Sequence, residues 1–152
     1  IMGKNTYLSL PNNYLKNRRN IVISQTLFNE NINNKWNIVI NDQEIEYCIL
    51  NDTYIFYNFG HAYMYALNYI SNFNNNVFGE IWVIGGSSIY DTAIELNLVN
   101  KIYLTYVKKQ YNCDVYLGNK TINFLDESKI THVHYNNHLN IDPHEFRIYN
   151  YT

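Results

Sequence analysis

Apolar and polar positions alternate in short runs along most of the chain, broken by two stretches where the period lengthens. Runs rich in β-branched and aromatic residues fall at 20–24, 36–40, 44–50, 54–57, 80–84, 101–107, 130–135 and 146–151, and each predicts a strand. Ile21-Val22-Ile23 and Ile81-Trp82-Val83-Ile84 are apolar without alternation, which predicts strands covered on both faces. Tyr63, Ala66, Leu67 and Ile70 are spaced i, i+3, i+4 and i+7, and Ile89, Ala93 and Leu96 repeat a one-sided spacing after Gly85-Gly86, so both stretches predict helices. Strand, helix, strand, helix, strand is the grammar of a parallel sheet with crossover helices. The last third has no comparable helix and predicts antiparallel edge strands. The polar stretch 29–35, with its surroundings up to Asp52, predicts a surface loop or hairpin.

Composition narrows the class. A chain of 152 residues is expected to form one domain with its own core. With 11 Lys+Arg against 13 Asp+Glu, the net charge of −2 gives no basic footprint for a nucleic-acid partner, and no apolar run reaches the length of a membrane span. The 27 Asn and 16 Tyr are dispersed between Val, Ile and Leu runs, which marks a globular chain written in a biased vocabulary rather than a low-complexity one. Cys48 and Cys113, without a secretory apolar segment, predict reduced thiols and a cytoplasmic protein. His132, His134, His138 and His144 crowd the last third, but no Cys or carboxylate completes a ligand spacing, so no metal site is expected. Ile1-Met2-Gly3-Lys4 opens inside an apolar-to-glycine transition of the kind found at the end of a buried strand, and the expectation is a chain lacking its N-terminal segment.

Three segments carry chemistry. Gly3-Lys4-Asn5-Thr6-Tyr7-Leu8-Ser9-Leu10-Pro11 reads as a strand end running into a helix, where free N–H groups, a lysine and a hydroxyl can hold a phosphate. Ile81-Trp82-Val83-Ile84-Gly85-Gly86-Ser87-Ser88-Ile89-Tyr90 is a second junction of this type, without the GxGxxG spacing of an ordinary dinucleotide fold. In Leu15-Lys16-Asn17-Arg18-Arg19-Asn20, a basic cluster precedes a buried strand that ends in Ser24, and a guanidinium fixed there can take a carboxylate.

Taken in order, these segments resemble the dihydrofolate reductase family. The likeness continues through Leu104-Thr105 and Cys113-Asp114-Val115-Tyr116-Leu117 to Phe146-Arg147-Ile148-Tyr149, and so spans nearly the whole chain. It implies an α/β fold of three αβα layers, with a mixed, mostly parallel central sheet, a C-terminal antiparallel hairpin and the family's first strand missing. It implies that Gly3, Lys4, Asn5, Thr6, Ser24 and Gln25 hold the phosphate and adenosine side of NADPH, with Gly85, Gly86, Ser87 and Ser88 at the pyrophosphate and a cis Gly85-Gly86 peptide. Ser9, Leu10 and Tyr90 would line the folate pocket, the Ile84 carbonyl would accept from the pterin, and Arg18 would take the glutamate carboxylate of the substrate. Thr105 would support a catalytic Asp or Glu that lies outside this chain.

The reaction implied is hydride transfer from NADPH to C6 of 7,8-dihydrofolate with protonation at N5. Without the catalytic carboxylate the chain alone is expected to be inactive, since Asp91 falls in a helical pattern and Asp114 at a structural position. Gln25 stands where many members carry a basic residue for the NADP 2′-phosphate, which leaves Lys4 as the charge partner, and Asn17 stands where glycine is common. The partners implied are dihydrofolate or folate analogues and a fused or associated thymidylate synthase. Two alternatives stay open: the riboflavin-pathway NADPH reductase of the same fold, which lacks the features at Arg18, Ser9, Leu10 and Tyr90, and a non-catalytic nucleotide-binding module.

Overall fold

A computed structural model describes residues 1–72, 79–125, 130–136 and 144–150. They form two compact units, 1–89 and 90–152. The first contains β1 (Met2–Gly3), α1 (Lys4–Ser9), β2 (Asn20–Ile23), α2 (Gln25–Glu30), β3 (Lys35–Ile40), β4 (Gln43–Leu50), β5 (Thr53–Phe56) and α3 (Phe59–Ser71). Its five strands are ordered β1-β2-β5-β4-β3, with β1, β2 and β5 parallel and β4 and β3 antiparallel.

Register decides which side chains meet. Met2 stands opposite Val22, Val22 opposite Ile55 and Ile55 opposite Cys48, so these four form one row on one face. That row packs with Tyr7 of α1 and with Leu27 and Phe28 of α2. On the other face Tyr47, Tyr54 and Phe56 meet Tyr65 of α3, with ring centroids 5.1–5.4 Å from Tyr65. Helices therefore cover both faces of this sheet, the layering that the resemblance implied. The α3 face differs from the one its spacing predicts. Phe59, Ala62, Tyr65 and Ala66 are buried while Leu67 is exposed, because the aromatic partners on β4 and β5 draw the tyrosine side of the helix inward.

The segment around 29–52 is the β3–β4 hairpin, which continues the sheet. Asn41-Asp42 and Asn51-Asp52 make the two-residue turns on either side of β4, and all four residues have positive φ, the geometry whose twist matches antiparallel strands. Every non-glycine residue with positive φ among the described residues is Asn or Asp, Asn17 (φ 59) included. Part of the asparagine excess thus sits at left-handed positions that other side chains resist.

Segment 81–84 runs beside β1 on the side away from β2. The Ile1 nitrogen donates to the Trp82 carbonyl at 2.6 Å and the Ile84 N–H to the Ile1 carbonyl at 3.0 Å, the alternation of a parallel pair. The expectation that both its faces are covered is corrected: Trp82 is 49% exposed.

α4 (Ser87–Glu95) contains the boundary between the units; the second unit continues with β6 (Lys101–Val107), α5 (Asn119–Phe124), β7 (Ile130–Asn136) and β8 (His144–Asn150). α4 ends where Asn97 turns left-handed (φ 54) and the Leu98 N–H reaches the Ala93 carbonyl at 3.1 Å, so Leu96 lies beyond the helix and is exposed. β6, β8 and β7 form a three-stranded antiparallel sheet in that order. One expectation is therefore corrected: a short helix, α5, interrupts the last third. The C-terminal antiparallel pair β7 and β8 is present and is joined by β6 as a third strand, and the five-stranded sheet is mixed, with two parallel and two antiparallel pairs to which 81–84 adds a third parallel neighbour. Among the described residues no helix is long and apolar enough to cross a membrane, and no three His, Cys, Asp or Glu gather where they could hold a metal. His138 lies outside the described residues.

Two substitutions test this packing with opposite signs. Ile55→Ala, at a fully buried site, is expected to lower the unfolding free energy by about 2–5 kcal/mol, read as a lower urea midpoint at unchanged slope. The Thr53 hydroxyl is buried without a partner among the described residues, so Thr53→Val is expected to be neutral or stabilising by up to about 1 kcal/mol in the same assay.

Candidate functional site

Segment 81–84, β1, β2 and β5 are neighbours with the same direction, so their carboxyl ends share one edge of the sheet. The residues that follow them, Gly85-Gly86, Gly3-Lys4, Ser24-Gln25 and Tyr57-Asn58, stand in a row along that rim. At their carboxyl ends β1 leads into α1 and segment 81–84 into α4, so two helix starts stand at neighbouring positions of the rim, the edge at which open α/β sheets bind ligands.

At this rim the backbone ladder slips by one residue. The alternation set by Ile1 would carry the Gly3 N–H to the Ile84 carbonyl; it donates to the Gly85 carbonyl instead, at 2.6 Å. The Ile84 carbonyl is thereby left without a partner among the described residues. The Gly85-Gly86 peptide is cis, as the resemblance implied, and Gly85 has φ 110, a conformation open to glycine. A Cβ on Gly3 would lie 3.3 Å from Ile89 Cγ1 and 3.5 Å from the Gly86 nitrogen, so the approach of the two turns requires a bare backbone there. At Gly86 a Cβ would meet nothing within 4 Å, so this glycine faces open space.

Electrostatics along the rim are set by helix starts. α1 has no side-chain cap at Gly3, so the first N–H groups of this helix are unsatisfied by any side chain. Lys4, half-buried at its first position, has no carboxylate partner among the described residues. Asn5 is exposed and Thr6 half-buried, and the Ser9 hydroxyl donates to the Thr6 carbonyl at 2.7 Å. Leu10 packs against the core row, as does Ile84. Ser24 caps α2, its Oγ accepting from the Leu27 N–H at 3.1 Å, which leaves the hydroxyl proton to donate elsewhere; Gln25 beside it is exposed. Ser87 is half-buried and Ser88 exposed at the start of α4.

Arg18 is exposed, and its Nη1 donates to the Lys16 carbonyl at 3.3 Å. It lines a cavity of about 380 Å³ together with Ile1, Met2, Leu15, Ile70 and Ile84, so Arg18 and Ile84 come to one space. The basic cluster divides its labour in a way that charge alone did not reveal. Arg19 is the fixed guanidinium, stacked 4.5 Å from the Tyr54 ring and 4.1 Å from that of Tyr69, which leaves Arg18 outward.

The family model for dihydrofolate reductase matches residues 1–151. The chain belongs to the dihydrofolate reductase family. It is 31% identical over 160 residues to the bifunctional dihydrofolate reductase-thymidylate synthase of Plasmodium berghei (strain Anka), which covers 100% of this chain and 23% of that protein. To the enzyme of the same description from Acanthamoeba polyphaga mimivirus it is 32% identical over 144 residues, 93% of this chain and 21% of that protein. A putative dihydrofolate reductase of Caenorhabditis elegans is 44% identical over 50 residues, 33% of this chain and 25% of that protein. The chain thus spans about a quarter of the length of these relatives.

Of the residues that dihydrofolate reductase membership brings into question, Tyr90 and Thr105 belong to the second unit. Tyr90 is half-buried on α4 and Thr105 is exposed on β6, opposite Phe146 of β8. Of the two carboxylates weighed from the sequence, one is engaged and one is at the surface. Asp91 accepts from the Thr121 hydroxyl at 2.6 Å and from the Thr121 N–H at 2.9 Å, and Asp114 is exposed.

Gly85→Ala places a side chain at φ 110 and is expected to cost about 1–3 kcal/mol in urea unfolding. Gly60→Ala, inside α3 with its nearest atom 3.5 Å away, is expected to stabilise by about 0.5–1 kcal/mol and serves as the control. The Thr121 hydrogen bonds, with Lys120 adding to them, hold the Asp91 carboxyl below its ordinary value of 3.8. A depressed carboxyl stabilises fully above its unfolded value, and that share disappears as pH falls through the folded one. Comparing wild type with Asp91→Asn between pH 7 and pH 2, the gap in stability is expected to close only at the acid end.

Proposed function

We propose that the chain supplies the NADPH-binding and folate-binding parts of one dihydrofolate reductase domain, and that the whole enzyme reduces 7,8-dihydrofolate to tetrahydrofolate. The observation that carries this reading is the slip of the ladder at Gly3 and Gly85. It leaves one strand-end carbonyl, that of Ile84, without a partner among the described residues, beside a helix start that has no side-chain cap and bears Lys4, which has no carboxylate partner among them. A hydrogen-bonding heterocycle needs the first feature and a phosphate the second.

The rim fits a dinucleotide. Gly86 leaves the open space that a pyrophosphate needs, α1 presents its first N–H groups with Lys4, and the Ser24 proton and the Gln25 amide extend the row toward the adenosine end. NADPH, when bound, supplies the hydride. The first unit's own residues bind and orient: Ile84 accepts from the pterin, Arg18 takes the glutamate carboxylate at the shared cavity, and Leu10 and Ser9 pack along the folate. Thr105 of the second unit carries the hydroxyl that the family pattern pairs with a catalytic carboxylate, the group that steers protonation at N5. The joint presence of Arg18 and Ile84 at one cavity favours folate over the smaller substrate of the riboflavin-pathway reductase. The Plasmodium and mimivirus relatives are bifunctional reductase-synthases, and we extend to this protein a fused or associated thymidylate synthase as partner.

Two outcomes test the reading. The purified 152-residue chain is expected to show no dihydrofolate-dependent oxidation of NADPH at 340 nm, and turnover by it would place the proton-directing group within the chain. In the whole gene product, Lys4→Met is expected to weaken NADPH binding about tenfold with little change for dihydrofolate, and Arg18→Met to do the reverse. Equal losses for both ligands in both variants would contradict the assignment.

A further inference from the structure

Three of the strand ends in the rim of the first unit bring glycine, lysine, serine or an amide to it; the fourth, after β5, brings an aromatic ring. Tyr57 is 43% exposed. Its main chain is held on both sides. The Phe56 carbonyl before it accepts from the Ser24 N–H at 3.0 Å, and the Asn58 side chain after it caps α3, accepting from the His61 N–H at 2.9 Å. The first of these bonds also sets Tyr57 beside Ser24 and Gln25. Phe56 meets Tyr65 of α3, whereas the ring of Tyr57 meets α2 on the opposite side of the sheet, the side of α1 and Lys4. There it leans on Phe28, in the first turn of α2, with centroids 5.8 Å apart and planes at 85°. Phe28 is buried, so the support belongs to the core. An edge contact of this kind takes up one side of Tyr57 at most and leaves a π-face to solvent.

We propose that Tyr57 is a stacking platform for the adenine of the dinucleotide, and so sets affinity for its adenosine half. Parallel strands lie about 4.8 Å apart, so two spacings, about 10 Å, separate Gly3-Lys4 after β1 from Tyr57 after β5. That is the reach of one ribose and one base beyond a pyrophosphate held at Gly86 and Lys4, with Ser24 and Gln25 beside the ribose. The chemistry of this end suits a base rather than a charge. Gln25, Tyr57 and Asn58 are all uncharged, and a purine offers a π-face to a ring that is already held in place. Because NADPH and NADH share the adenine, Tyr57 serves both equally and leaves discrimination by the 2′-phosphate to Lys4. This role rests on the reductase reading, in which the rim holds NADPH; the anchored and exposed ring does not.

The experiment uses the whole gene product and equilibrium binding of NADPH, NADH, adenosine diphosphate and dihydrofolate, each measured separately. Tyr57→Ala is expected to weaken NADPH, NADH and adenosine diphosphate by the same factor, about tenfold, with dihydrofolate within about twofold of wild type. Tyr57→Phe, which keeps the ring and loses the hydroxyl, is expected to stay within about twofold of wild type for all four. In the wild type, the ring protons of Tyr57 are expected to shift upfield as adenosine diphosphate is added, a readout that needs no variant to fold. Ring protons that stay in place, or an unchanged affinity of Tyr57→Ala for adenosine diphosphate, overturn the platform. So do a Tyr57→Phe as weak as Tyr57→Ala, which would make the hydroxyl the contact, and an equal loss for dihydrofolate, which would make the effect a general one. Wild type that binds dihydrofolate but none of the three nucleotides overturns the cofactor half of the reductase reading, and the role of Tyr57 with it.

Discussion

The rim of the first unit is arranged around one backbone hydrogen bond, from the Gly3 N–H to the Gly85 carbonyl at 2.6 Å. A parallel ladder that ran in register would use the Ile84 carbonyl and leave that of Gly85 free in its place. Moving the bond by one residue frees the Ile84 carbonyl and pulls the Gly85-Gly86 turn against the start of α1. It also demands glycine at Gly3, where a Cβ would press on Ile89, and at Gly85, where φ is 110. Binding features and backbone requirements therefore have one cause.

Around that bond the sheet acts as a ruler. The Met2, Val22, Ile55 and Cys48 row on one face and the aromatic cluster about Tyr65 on the other hold the parallel strands at fixed heights, so that their carboxyl ends present helix starts in line. The hairpin of β3 and β4 extends the sheet at the edge away from 81–84, fixed by two Asn-Asp turns and by the burial of Ile40, Ile45 and Cys48. Lys4 has no carboxylate partner among the described residues, as suits a group that meets an anionic ligand.

Much of this was legible in the residues. Continuous apolar runs marked β2, Gly85-Gly86 and Gly3 marked the turns, and the order of the motifs pointed to the family. What escaped were features decided by partners distant in sequence. The buried face of α3 was misplaced because the choice between Leu67 and Tyr65 is made by Tyr47, Tyr54 and Phe56, which no helical period contains. α5 was missed because its cap is borrowed from Asp91 on another helix, so the usual Ser, Thr, Asp or Asn before the helix is replaced by Gly118. The slip at Gly3 has no sequence signal beyond the glycines, since register is a property of two strands. One signal was present and unused: the Asn-Asp pairs at 41–42 and 51–52, which specify two-residue turns by their tolerance of positive φ.

The most direct measurement is a titration of the isotope-labelled protein with NADPH, followed residue by residue through backbone amide resonances. The rim described above predicts that Gly3, Lys4, Asn5, Gln25, Gly86 and Ser87 shift together and saturate with one affinity, while amides of the β3–β4 hairpin stay in place. Shifts confined to the hairpin or spread evenly over the sheet, with the Gly3 and Gly86 amides unmoved, would contradict it.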